Sequence, residues 1–386
     1  MRYGFTTGSC SAAAAKAAAF MLLGGNKKEN IEIETPKGIL FKTEILDISI
    51  EEKKVSCAVK KDGGDDPDVT SGCLVYAEVS AVDDATDAVD DSTADSGNTD
   101  DEKRAGAVLI DGGVGVGRVT LPGLDQPVGN AAINSVPRKM IEKEVREVME
   151  LFDFKGSLQV IISIPEGETL AEQTFNPRLG IVGGISVLGT SGIVEPMSVD
   201  ALLKTIETEL RQKRAMGYEQ VVIAPGNYGM DFMKTTYHYD LDKAVKCSNY
   251  IGATLDMIGE LQFKEVLLVG HLGKLVKVSG GIMNTHSHEA DSRMELMAAA
   301  GIRAGLEAEI LSEVLDAVSV DAAYEIIKKT GKEKSVMSHV MKKMDYHLKK
   351  RANGRFQIEC ITFSNAFGKM GETDGADEML RRIMED

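Results

Sequence analysis

Asn284, Thr285, His286, Ser287, His288, Glu289, Ala290 and Asp291 follow one another and place two of the chain's six histidines beside two carboxylates. His-x-His is a metal-ligand spacing when it lies on a strand. The same side chains elsewhere can move a proton or hydrogen-bond a substrate. A hydrolytic metal site usually needs further ligands, and the remaining candidates, His339 and His347, fall in an amphipathic helical pattern that reads as scaffold. The expectation is proton handling by His286, His288 and Asp291, substrate contact by Asn284 and Thr285, and no metal. Metal ligation and a plain structural role stay open beside it.

Glycine-rich segments form the second group of candidates. Gly226, Asn227, Tyr228 and Gly229 follow the apolar run 221–224, and Gly270, His271, Leu272, Gly273 and Lys274 follow the run 266–269. At the carboxyl ends of parallel strands such turns bind ligands. Gly112, Gly113, Gly115, Gly117 and Arg118 follow another run, 107–110, but residues 119–121 look extended, which is wrong for a dinucleotide turn. The stretch from Asn176 and Arg178 to Gly192 reads either as an anion nest or as tight packing. Thr6, Thr7, Gly8, Ser9 and Cys10 precede an alanine-rich helix, residues 11–23, that Gly24 and Gly25 close. They either cap that helix or bind an anion there, and Cys10 has no identifiable base to make it a nucleophile. The aspartates of residues 60–68 do not fit an EF-hand and read as turn caps.

Runs at 31–34, 39–50, 55–60, 74–82, 107–110 and 158–164 read as strands, and Met140, Ile141, Val145, Val148, Met149 and Phe152 mark one helix. Beyond residue 196, helices alternate with the runs 221–224, 266–269 and 358–363, the signature of βαβ units. The expected fold is therefore a β-rich α+β domain over 1–195, followed by an α/β domain with a parallel sheet over 196–386.

Length supports two domains, since 386 residues exceed one typical core. Net charge is −16, which disfavours nucleic acid and anionic membranes. Nine of those charges come from eight Asp and one Glu in residues 83–102, a run with no Lys or Arg that reads as a solvated, flexible loop. The most apolar N-terminal stretch, residues 11–23, falls short of the roughly 20 residues that span a bilayer, and no secretory leader is read. Five scattered cysteines with no CxxC spacing encode neither a disulfide framework nor a zinc knuckle. A reduced, cytoplasmic protein is expected, its oligomeric state, homo-oligomer or not, left open.

Taken together, these segments resemble the CbiD family, the cobalt-precorrin-5B C-methyltransferases of anaerobic cobalamin synthesis. The resemblance spans nearly the whole chain: GFTTGSCSAAAAKAAA from Gly4, KDGGDDPDVTSG from Lys61, IDGGVGVGRVTLPGL from Ile110, VGNAAINSVPRKMI from Val128, NPRLGIVGGISVLGTSGIVEPMS from Asn176, PGNYG from Pro225, SNYIG from Ser248 and VGHLGKLVKVSGGIMNTHSHEADSRMEL from Val269. It implies methylation at ring carbon 1 with S-adenosylmethionine (SAM) as donor, converting cobalt-precorrin-5B to cobalt-precorrin-6A.

Such a reaction needs positioning and water exclusion rather than a covalent nucleophile. Strand-end position places SAM against Gly226, Asn227, Tyr228, Gly229, Gly270, His271, Gly273 and Lys274 as an expectation. The tetrapyrrole is then expected between the domains, against Thr6, Thr7, Gly8, Ser9, Gly112, Gly113, Gly115, Gly117, Arg118, Arg178, Asn284 and Thr285. A metal-dependent hydrolase on His286 and His288, or a non-catalytic corrinoid carrier, are the alternatives.

Overall fold

The computed structural model describes residues 2–82, 106–196 and 198–385. It divides into two compact units, Met1–Ser198 and Val199–Asp386. The acidic run 83–102 lies outside the described residues.

In the first unit a short β1 (Gly4–Phe5) leads into α1 (Thr7–Gly24). Thr6 Oγ1 accepts the Ser9 N–H as the cap, and Gly25, at φ 67°, closes the helix by donating its N–H to Met21. The helix thus starts four residues before the expected residue 11, because Thr6 supplies the cap and places Thr7, Gly8, Ser9 and Cys10 inside the first turns. There follow β2 (Asn30–Glu34), β3 (Leu40–Glu44), β4 (Leu46–Ile50), β5 (Lys54–Lys60), β6 (Leu74–Val82), β7 (Val108–Gly112), β8 (Gly115–Val116), β9 (Arg118–Val119), α2 (Ser135–Leu151) and β10 (Ser157–Ser163). The unit ends with α3 (Gly167–Ala171), β11 (Ile181–Val182), β12 (Gly184–Ile185) and β13 (Ile193–Val194).

The main sheet runs β4-β5-β6-β10-β7, antiparallel except for the parallel pair β10 and β7. On β6, Val75, Ala77 and Val79 alternate inward and are fully buried, as one covered face of an antiparallel sheet requires. α1 packs against β5, β6 and α2, and its alanines at 12–15 and 17–19 are all fully buried. Methyl-sized side chains let that helix lie close to both neighbours. The strand expected over 39–50 is two strands, because Ile45 turns inward, Asp47 takes φ 47°, and β3 pairs with β2 while β4 joins the main sheet.

The second unit contains α4 (Val199–Ala215), β14 (Gln220–Ala224), α5 (Asn227–Tyr237), β15 (Ala244–Lys246), α6 (Ile251–Glu260), β16 (Glu265–His271) and α7 (Leu272–Leu275). After them come α8 (Arg293–Arg303), α9 (Ala308–Leu315), α10 (Val320–Lys329), α11 (Glu333–Ala352), β17 (Gln357–Ser364), β18 (Gly368–Glu372) and α12 (Ala376–Glu385). Sheet order is β15-β14-β16-β17-β18. The first four strands are parallel and β18 is antiparallel to β17. The sheet is therefore mixed rather than parallel throughout. β15 and β18 escaped the periodicity reading, the first at three residues and the second with two glycines in five. Near-continuous apolar runs on β14, β16 and β17 bury residues on both sheet faces, as a sheet covered by helices on both sides requires.

From β14 the chain moves to β15 on one side and then returns to β16 on the other. Such a reversal marks the carboxyl ends of β14 and β16 as the edge where open α/β sheets bind ligands.

Candidate functional site

Gly226 begins the turn after β14 at φ 149° and ψ −178°, a conformation that side chains rarely adopt. It is the cap residue of α5, whose start has no side-chain cap. Asn227, Tyr228 and Gly229 form the first turn of that helix, with Tyr228 65% exposed. After β16, His271 caps α7 by accepting the Gly273 N–H on Nδ1 at 3.1 Å. Lys274 Nζ then reaches across to donate to the Pro225 carbonyl at 2.9 Å and to Asn249 Oδ1 at 3.0 Å.

Asn249 lies just beyond β15 and ties a third segment to the same edge. Its carbonyl accepts the Thr285 N–H at 2.9 Å, and Thr285 Oγ1 lies 3.3 Å from its Oδ1. Tyr250 bridges Asn284. Lys277, 3% exposed, donates from Nζ to the carbonyls of Thr285 at 3.2 Å and Ala290 at 2.7 Å. Two groups expected to serve different ligands, Gly226 to Lys274 and Asn284 to Thr285, are therefore one cluster.

His286 and His288 are exposed, with ring centroids 5.3 Å apart, and His286 Nδ1 accepts the His288 N–H at 3.2 Å. They lie in turns, not on a strand, so the geometry that makes His-x-His a metal motif is missing. Asp291 is held by Arg293 through both carboxylate oxygens, and this hydrogen-bonded ion pair keeps its carboxyl below the usual range. Among the described residues no group of three or more His, Cys, Asp or Glu is arranged to hold a metal ion.

His271 also faces a carboxylate. Its Nε2 lies 3.9 Å from Asp321 Oδ2, which accepts the Ser364 hydroxyl at 2.9 Å. Tyr228 stands on the open side of the imidazole, centroids 6.4 Å apart. The ammonium of Lys274 is pushed below its ordinary pKa chiefly by burial; Cys247, next in size, opposes the shift, and Lys246 and Lys277 add to it.

The residues expected to bind substrate in the first unit have other partners. Ser9 is fully buried and donates to the Gly192 carbonyl at 2.6 Å, while Thr7 Oγ1 exchanges hydrogen bonds with the Leu188 backbone. Gly8 packs against Pro137, and Thr6 caps α1. Burial pushes the Cys10 thiol up to about 12, which leaves no thiolate at neutral pH. Arg118 forks onto Asp111 at 2.7 and 2.9 Å and onto the Gly112 carbonyl at 3.0 Å. At Gly115, φ 71°, an added Cβ would come within 1.8 Å of the Ile164 carbonyl oxygen, so this loop is a close-packed crossing with β12 and α3. A Cβ added at Gly113 or Gly117 would come within 2.3 Å of the side chain of Ser163 or Ile181, respectively. Arg178 sits half-buried in the helical turn Pro177–Leu179. Asp62 pairs with Arg2, and Asp68 with Lys61, so these turn aspartates are engaged within the protein.

The sequence reading missed Lys246, Asn249, Lys277 and Asp321. One signal pointed to Asn249: the block SNYIG from Ser248 directly follows a strand end. With three residues, β15 was too short to be recognised as a strand.

A family model described as CbiD matches residues 1–196, and one described as CbiD, C-terminal domain, matches residues 284–374. A cobalt-precorrin-5B C(1)-methyltransferase of Ruminiclostridium cellulolyticum is 43% identical over 388 aligned positions, covering 99% of this chain and 95% of its own. A protein of the same name from a Thermoanaerobacter species is 46% identical, covering 86% and 84%. The 1.9 Å crystal structure of a cobalamin biosynthesis protein (cbiD) from Archaeoglobus fulgidus is similar with 25% identity over 75% of this chain and 84% of that one, at a TM-score of 0.38.

Proposed function

The chain belongs to the CbiD family, and on that premise we propose that it is a C-methyltransferase that places a methyl group on carbon 1 of cobalt-precorrin-5B, giving cobalt-precorrin-6A. Near full-length identity to relatives that carry this name is the observation that supports it. S-adenosylmethionine is the donor in this reading. The methyl leaves the sulfonium while the bonding pair stays on sulfur. A π pair of the ring makes the new carbon–carbon bond, and a proton leaves to balance the charge.

The donor is placed at the carboxyl ends of β14 and β16, against Gly226, Asn227, Tyr228, Gly229, Gly270, His271, Gly273 and Lys274. The chain reversal there supports this placement, as does the exposed Tyr228 ring, which offers a stacking face to an adenine. Asn284 and Thr285 adjoin the same cluster and are assigned to the ring, whose released proton is assigned to His286 or His288, with Asp291 beside them. From the first unit, Thr6, Gly112, Gly113, Arg118 and Arg178 stay candidates for ring contact. Thr7, Gly8, Ser9, Gly115 and Gly117 are buried and act as scaffold.

No helix among the described residues is long and apolar enough to cross a membrane. Anaerobic incubation with cobalt-precorrin-5B and isotopically labelled SAM, followed by mass spectrometry, tests the reading. One labelled methyl on the ring is expected. An unchanged ring mass, with an active homologue run in parallel, rejects it.

A further inference from the structure

Three lysines converge where β14, β15 and β16 end. Lys246 is the last residue of β15 and stands in register opposite Ala224, beside the Pro225 carbonyl that Lys274 holds. Lys277 lies one turn beyond Lys274, 3% exposed. Lys274 and Lys277 each use two of the three ammonium N–H groups on neutral oxygens and keep a third. Among the described residues, none of the three lysines has a carboxylate within ion-pair distance.

That arrangement is unusual in a chain of net charge −16. By contrast, Lys16 is paired with Glu144 and Glu147, and buried Lys61 with Asp68. Lys246 and Lys277 both act electrostatically on Lys274, and like charges repel more strongly where water is partly excluded. A fold that holds three of them together gains most when an anion joins them. The start of α5, with no acidic residue in its first turn and no side-chain cap, adds the positive end of a helix dipole.

We propose that Lys246, Lys274 and Lys277 form a carboxylate-binding site, filled either by the amino-acid carboxylate of the methyl donor or by a side-chain carboxylate of the ring. The inference rests on the reading of this edge as the ligand site only for the source of that carboxylate. Two of the three lysines, Lys246 and Lys277, fall outside the glycine-rich turns that pointed to this edge.

Calorimetry on the full chain tests it with two matched pairs of probes. One pair is S-adenosylhomocysteine and its decarboxylated amine; the other is cobyrinic acid and its heptamethyl ester. In Lys246→Met and Lys274→Met, one acid probe should bind at least tenfold more weakly, while its carboxylate-free partner should not weaken. Lys274→Arg should restore part of the loss. Loss confined to S-adenosylhomocysteine identifies the donor as the source, and loss confined to cobyrinic acid identifies the ring. Two results overturn the proposal: neither acid probe weakens, or an acid probe and its carboxylate-free partner weaken alike. Lys246 is exposed, so its variant keeps the test decisive if Lys274→Met fails to fold. Tyr228→Ala judges the donor's placement separately, since unchanged S-adenosylhomocysteine affinity there would move the donor elsewhere without touching the lysine result.

Discussion

The Pro225 carbonyl oxygen accepts a hydrogen bond from Lys274 Nζ at 2.9 Å, across 49 positions of sequence. That bond fastens the turn after β14 to the helix after β16 and so closes the point at which the sheet reverses direction. Because the same ammonium also binds Asn249, one charge positions three loops.

Anion binding at this edge should depend on alkaline pH. Lys274 binds an anion only when protonated, and its pKa lies below the ordinary lysine value of 10.5. Affinity for the acid probe that the lysines hold, S-adenosylhomocysteine or cobyrinic acid, should therefore fall with rising pH before an ordinary lysine would deprotonate. In Lys274→Arg the guanidinium stays charged, so this component of the fall should vanish. Calorimetry between pH 7 and pH 10 checks both; identical profiles for the two proteins refute the assignment.

Gly226→Ala should strain the turn itself. A side chain at φ 149° costs about 1–3 kcal/mol, and the relaxed turn would draw the start of α5 away from Lys274. Donor affinity should drop more than thermal stability does, as measured by calorimetry and by the melting temperature of the same preparation.

Gly115→Ala should damage the first unit. Its Cβ would overlap the Ile164 carbonyl oxygen at 1.8 Å and also require φ 71°. A loss of more than about 2 kcal/mol is expected. Denaturant unfolding should show it, and an unchanged midpoint would mean that the loop is open rather than packed.

Lys16→Met should leave Glu144, 2% exposed, short of its main partner at 2.5 Å. Losing one member of a buried pair costs about 3 kcal/mol or more; Lys143, 3.3 Å from the other oxygen of Glu144, reduces that. Adding Glu144→Gln to Lys16→Met should recover part of the stability, because the orphaned charge goes with it. A double variant no more stable than the single one would contradict this account.

His286→Ala and His288→Ala should lower kcat while leaving S-adenosylhomocysteine affinity within twofold, since both rings are exposed and stand outside the Lys274 cluster. Steady-state kinetics beside calorimetry separates the two effects. Loss of a stoichiometric metal in either variant, by elemental analysis, would instead revive the hydrolase alternative.

Much of the fold was legible because it is written in short-range patterns. Alternation predicted β6, a 3.6-residue period predicted α2, and apolar runs after residue 196 predicted β14, β16 and β17. β15 was not legible, since three residues show no period, and without it the strand order could not be worked out. The start of α1 was misplaced because Thr6, Thr7, Ser9 and Ser11 all have capping side chains, and only the folded backbone selects Thr6.

By itself the sequence determined which motifs recur and in what order, and so the family, along with a division between a β-rich half and an α/β half. Tertiary structure decided which motifs meet. Asn249, Thr285 and Lys274 lie 25 and 36 positions apart in pairs that hydrogen-bond, and the glycines of residues 112–117 proved to be a packed crossing. The reason is physical: residue type fixes what a side chain can donate or accept, but whether that capacity is satisfied within the protein or left for a ligand depends on neighbours that the chain brings together only when it folds.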